Sequence, residues 1–266
     1  MGNDTISVSC TIAAAMELYQ KGFITDADCE GVPLAWGNGE AIWKWTERMG
    51  RGETALGKLM AQGSYRLCAH YGQPDIAMVV KKQELPAYDA RGIQGIGITY
   101  ATSNRGGCHV RGYMIAPEVL GSPEALDRTV TDDKHVWAKI FQDLTAVIDS
   151  AGLCLFTSFA LGAPEYAELL NAATGTNYDV AGVLEAGERV YNLERIFNKK
   201  AGMKPEDDTL PKRLLNDPIK DGVSKGMVSK LSEMLPKYYE ARGWVNAFPT
   251  KETCERLGLA DVCDCC

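Results

Sequence analysis

What most constrains this chain is its punctuation. One apolar stretch of helical period follows another, each closed by a glycine, with little strict alternation between them. In "TISVSCTIAAAMELYQKG", Ile6, Ile12, Ala13, Met16 and Tyr19 fall at near-helical spacing and the pattern stops at Gly22, as an amphipathic helix should. "NGEAIWKWTERMGRG" repeats it with Ile42, Trp45 and Met49. "TALGKLMAQGSYRLCAHYG" reads as a helix pair or one kinked helix. "SPEALDR" is predicted to start a helix, with Ser122 as N-cap and Pro123 at its first position. Val136, Ile140, Leu144, Val147 and Ile148 share a face of "DDKHVWAKIFQDLTAVIDSAG", and Gly152 lies just past its end. "PEYAELLNAATG" closes on Gly175. The stretch from Asp179 to Gly202 has Leu184, Val190, Leu193 and Phe197 as its apolar stripe. "SKGMVSKLSEMLPKYYEARG" and "TKETCERLGL" add two more helices.

Extended segments are scarce. "IAMVVKKQELPAY" and "QGIGITYAT" could make a small hairpin but not a sheet-based domain. The expected fold is all-α and multihelical, in two helical domains. The glycine-rich loop "TSNRGGCHVRGYMIAPEVLGSP" lies near the middle and sets the expected division at 1–105 and 106–266. A chain of 266 residues has the length for such a pair and can bury most of its unfolded surface.

The net charge of -7 argues against nucleic acid and anionic membrane as partners. No apolar run is long enough to span a bilayer, and no basic-then-apolar leader opens the sequence. A cytoplasmic protein is expected. Its nine cysteines should then be mostly reduced thiols, several simply buried, and their odd number argues against a closed disulfide framework.

Two stretches carry candidate chemistry. "DSAGLC" ends a helix on Asp149 and Gly152 and then presents Leu153 and Cys154. A left-handed glycine lets the chain turn while the last carbonyls are capped. The amides after the turn are expected to be free donors, the carboxylate an acceptor for N–H groups of a polar heterocycle, and the thiolate a ligand for a soft metal such as cluster iron. A capped helix end with a buried cysteine is the plainer reading of the same spacing. In "NRGGCHVRGY", His109 stands among glycines that let backbone approach a ligand, and histidine is the usual proton carrier near neutrality. A loop histidine satisfied by backbone bonds is the alternative. His70 and His135 lie inside helical patterns and receive no chemistry. Cys263, Cys265 and Cys266 are dense enough to hold zinc or copper, but without a second cluster they read better as a frayed, redox-sensitive tail. There is no P-loop, dinucleotide fingerprint, Gly-x-Ser-x-Gly elbow or His-Glu-x-x-His.

Beyond spacing, "DSAGLCLFTSFALGAPEYAELLNAATG" resembles the C-terminal region of the aldehyde ferredoxin oxidoreductases, tungsten enzymes with a bis-pterin cofactor beside a 4Fe-4S cluster. "LPAYDARGIQGIGITYATSNRGGCHVRGY", "VYNLERIFNKKAGMKPEDDTLPKRLL" and "YYEARGW" are similar to that family in the same order, so the likeness runs over essentially the whole chain. It implies the two helical C-terminal domains of such an enzyme, the first incomplete. It implies that Asp149, Gly152 and Leu153 contact a pterin (a hydrogen-bonded neighbour of the Cys154 sulfur), that Cys154 is the fourth cluster ligand, and that His109 is a proton donor or acceptor near the tungsten (or molybdenum). "GNDTIS" looks like the end of a first copy of the motif. Gly2 and Asp4 match it, with Asn3 where leucine is usual.

The family's N-terminal β-rich domain and its three-cysteine segment, which supplies the other cluster ligands, have no counterpart in this sequence. The resemblance therefore implies activity only together with that part: aldehyde and water to carboxylate, with electrons passed to ferredoxin. The alternative is a stand-alone helical fragment or binding module without cofactor or catalysis. The first expectation also requires a broad apolar, glycine-lined partner face around Asp4, His109 and Asp149–Cys154.

Overall fold

The glycine-punctuated stretches fold as helices, and the computed structural model describes residues 1–263. They form two units, Met1–Ala87 with Pro211–Arg213, and Tyr88–Leu210 with the described residues from Leu214 onward. The division expected at 105/106 falls inside the second unit.

In the first unit, α1 (Thr5–Gln20) starts at Asp4, whose carboxylate accepts from the Ser7 N–H at 2.8 Å. The short α2 (Asp26–Cys29) follows, then α3 (Gly39–Arg51), capped by Asn38. The ambiguous stretch after it resolves into a pair, α4 (Ala55–Met60) and α5 (Ser64–His70). β1 (Val79–Val80) and β2 (Gln83–Glu84) make one antiparallel hairpin pairing Val79 with Glu84. The core joins Ile12, Met16, Leu18, Trp45, Met60 and Leu67.

"QGIGITYAT" is not the extended segment its pattern allows. It is α6 (Gln94–Thr102), with every residue buried. A helix covered on all sides has no polar face, so its sequence loses the helical period and imitates a buried strand. The helix expected at "SPEALDR" does not form either. A π-helical turn at Ala116–Leu120 ends on Gly121, and the Ser122 N–H returns to the Ala116 carbonyl at 3.0 Å, so these residues close a loop instead.

The second unit is built on α7 (Lys134–Ser150) and α9 (Val180–Lys200), with α6, α8 (Ala163–Thr174) and α11 (Leu231–Arg242) packed around them. α7 and α9 approach so closely at Gly187 that a Cβ there would lie 1.9 Å from the Asp143 carbonyl oxygen. The apolar stripe expected on α9 is not its buried face, since Leu193 and Phe197 are exposed while Tyr191, Asn192, Arg195 and Ile196 are buried. The inward face is polar because its partners are polar. Arg195 donates to Asp208 at 3.0 Å and to the Thr102 carbonyl at 2.7 Å. Arg242 of α11 pairs with Asp143 of α7 and donates to Gln142 at 2.8 Å. Buried charges persist only with such partners.

The shorter α10 (Lys212–Asn216) and α12 (Lys251–Arg256) lie toward the end of the sequence, and β3 (Trp244–Val245) pairs with β4 (Phe248–Pro249). Cys263 is joined to Cys254 by a disulfide and so is not part of a frayed tail, while Cys265 and Cys266 lie outside the described residues. Cys10, Cys29, Cys68, Cys108 and Cys154 are free thiols. No helix among the described residues is long and apolar enough to cross a membrane.

Candidate functional site

α7 delivers Asp149 to the surface at its C-terminal turn. There Gly152 adopts φ +70°, a left-handed conformation that a side chain would strain, with open space where its Cβ would be. The amides after the turn are not free, contrary to expectation. The Ala151, Gly152 and Leu153 N–H groups donate to the carbonyls of Val147, Asp149 and Ile148 at 2.9, 3.1 and 3.0 Å, which is how a helix end satisfies its orphan carbonyls. Only beyond that cap does the chain present an unused donor, since the Cys154 N–H has no acceptor among the described residues.

Cys154 is an exposed free thiol, not a buried packing residue. It precedes a 3-10 turn, Leu155–Phe159. Around it Leu153, Phe156 and Phe159 are exposed, and the two phenylalanine rings stack at 5.6 Å. Leu153, Phe156 and Phe159 thus give the free thiol exposed apolar neighbours.

The glycine loop brings His109 to this turn. Arg111 pairs with Asp149 at 2.5 Å. Tyr113 meets Phe159 edge-on with ring centroids 5.6 Å apart, and the His109 ring lies 6.0 Å from Tyr113 and 5.6 Å from Tyr88. Burial, and then the nearby Arg105 charge, hold the His109 imidazole below its ordinary pKa, so it is neutral at pH 7 with one nitrogen free to accept a proton. Burial and the hydrogen bond with Tyr88 push the Tyr113 phenol up to about 12, keeping it protonated. A cavity of about 400 Å³ opens beside the loop, walled by Arg105, Arg111, Glu194 and the exposed Leu193 and Phe197.

The structure thus gathers His109, Asp149, Gly152, Leu153 and Cys154 on one side of the second unit. Asp4 belongs to the first unit, where its carboxylate caps α1. Arg111, Tyr88, Tyr113 and Phe159 gained no role from the sequence. A basic residue two positions from the histidine was the available signal for Arg111, whereas nothing local marks Tyr88 as its neighbour.

Residues 1–259 match the family model described as aldehyde ferredoxin oxidoreductase, domains 2 & 3. The chain belongs to the aldehyde ferredoxin oxidoreductase family. It is 52% identical over 265 residues to the tungsten-containing aldehyde ferredoxin oxidoreductase of Pyrococcus furiosus, covering 98% of this chain and 44% of that protein. The same figures for the tungsten-containing aldehyde ferredoxin oxidoreductase of Thermococcus kodakarensis are 50% identity over 264 residues, 98% and 44%. The chain therefore spans less than half the length of these relatives and corresponds to their C-terminal portion. The active-site complex BamBC of benzoyl coenzyme A reductase, solved with 1,5-dienoyl-CoA, superposes with a TM-score of 0.77 at 22% identity, over 99% of this chain and 45% of that one. At that identity the likeness concerns the fold, which it shares as a multihelical architecture.

The donor set of this family member fits the cofactors of such oxidoreductases in part. An exposed free thiol at Cys154 suits one ligand position on an iron cluster, and the Asp149 carboxylate suits a heterocycle that presents N–H groups. Among the described residues no group of three His, Cys, Asp or Glu side chains is placed to hold a metal.

Proposed function

We propose that this chain is the C-terminal half of an aldehyde-oxidising site and works joined to a β-rich segment that carries the three further cluster cysteines. One observation carries the proposal: the Arg111–Asp149 ion pair and the Tyr113–Phe159 contact hold the neutral His109 loop against the turn that exposes Cys154. Tungsten (or molybdenum) bis-pterin and a 4Fe-4S cluster, when bound, would take two electrons from the aldehyde and pass them to ferredoxin. Asp149 would accept hydrogen bonds from the pterin, with Arg111 fixing its orientation. Cys154 would bind one iron through its thiolate. His109 would accept at its unprotonated ring nitrogen a proton released as water adds to the aldehyde carbon, a role that requires the neutral imidazole its burial provides. Leu153, Phe156 and Phe159 would be covered by the β-rich partner, which excludes water from the site. The first-unit Asp4 is assigned to cofactor binding by its resemblance to the first copy of the motif.

Replacing Cys154 with serine in the assembled enzyme tests this. The expected result is loss of the cluster's electron paramagnetic signal and iron, with helical circular dichroism unchanged. A full cluster in that variant would remove Cys154 as a ligand, and the absence of iron, tungsten and pterin from the chain with its partner segment would make the chain a helical binding module.

A further inference from the structure

The turn that exposes the Cys154 thiol is anchored by groups with no part in its sequence motif. The Cys154 carbonyl accepts from the Thr157 N–H at 3.0 Å and from the Thr157 hydroxyl at 2.7 Å. The same hydroxyl lies 2.7 Å from the phenol oxygen of Tyr166. A hydroxyl has one proton to give. With the Thr157 proton on the Cys154 carbonyl, the Tyr166 phenol must donate to Thr157, and the chain of bonds runs in one direction from Tyr166 through Thr157 to Cys154. Tyr166 is 1% exposed and is wedged with Leu144 and Ile148 of α7 and with Leu155, Leu161, Ala163 and Leu184. Its ring cannot move without disturbing α7 and α8. Cys154 itself is exposed, and no packing of its side chain would fix it.

We infer that Thr157 and Tyr166 are positioning residues for the Cys154 thiol, tying an exposed ligand to the rigid α7–α8 pair. The inference rests on the proposed role of Cys154 for its purpose, though not for its geometry. Partners of this kind that orient a metal ligand are worth about 10- to 100-fold in metal affinity or activity. Each change here removes only a hydroxyl: Thr157→Val keeps the shape and β-branching of threonine, and Tyr166→Phe keeps the ring.

Two measurements test it. In the chain alone, with Cys10, Cys265 and Cys266 replaced by serine and the buried Cys29, Cys68 and Cys108 left in place, a nitroxide label on Cys154 should be immobile. Thr157→Val and Tyr166→Phe should each release it, and Thr157→Ser, which restores the hydroxyl, should hold it again. In the assembled enzyme the same two variants should lower cluster affinity about tenfold or alter the cluster's paramagnetic spectrum, with Thr157→Ser close to the parent. A label equally immobile in Thr157→Val and in the parent overturns the inference, as does an unchanged cluster. A Cys154→Ser enzyme that keeps its full cluster removes the ligand role instead, and the label result still decides whether the anchor exists.

Discussion

In the first unit Leu18, Met60 and Leu67 are buried in an apolar cluster with Ile12, Trp45 and Cys68. In the second, Lys134, Arg195 and Arg242 are each at most 1% exposed. They are held there by Glu118, Asp208 and Asp143. Apolar packing rewards volume and is nearly indifferent to the direction of each contact. Buried ion pairs add little net stability but tolerate one geometry, because either partner left alone is an uncompensated charge in a poor solvent. The candidate site lies on the directional unit. Asp143 is on the same helix as Asp149, so the bonds that fix α7 against α11 also aim its C-terminal turn.

That contrast is open to direct attack. Arg242→Met keeps the length of the side chain but leaves the buried Asp143 carboxylate with Lys139, at 2.8 Å, as its remaining cationic partner, and is expected to cost about 3 kcal/mol in denaturant unfolding. Gly187→Ala forces α7 and α9 apart at their closest approach and should cost about 1–3 kcal/mol, read as faster hydrogen exchange in both helices. Leu18→Met in the first unit conserves volume and should cost less than about 1.5 kcal/mol. Equal losses for Leu18→Met and Arg242→Met would abolish the distinction. The smallest effect is one of pH. Burial raises the Glu188 carboxyl, but the Arg256 hydrogen bond and the charges of Lys139, Arg256 and Arg242 outweigh it and leave its pKa below the ordinary 4.5. A carboxylate with a lowered folded-state pKa stabilises above the unfolded value, and that contribution is lost as pH falls through the folded one. Stability should therefore drop below about pH 4.5, and Glu188→Gln should flatten this part of the curve.

The helix ends were legible because the bonds that make them are local. Gly152 and Gly175 stop helices by taking positive φ, and Asp179 starts one by accepting from the Gly182 N–H at 2.7 Å. All of the groups involved lie within a turn of each other in sequence. The glycine loop around His109 and the cap before Cys154 were visible for the same reason. The buried side of a helix was less legible when charge was involved. Leu193 and Phe197 read as the core stripe of α9, yet Arg195 is inside, because Asp208 and the Thr102 carbonyl arrive from elsewhere in the fold to meet it.

By itself, then, the sequence determined where most of the helices begin and end, that the fold is helical, and the motif on which the site is built. Tertiary structure alone decided that α6 is a covered helix, that Arg111 reaches Asp149, that Tyr88 and Tyr113 flank His109, and that Tyr166 anchors Cys154 through Thr157. A cap is satisfied by atoms a few bonds along the chain, whereas a buried charge or a half-buried imidazole takes its environment from residues that only folding makes neighbours.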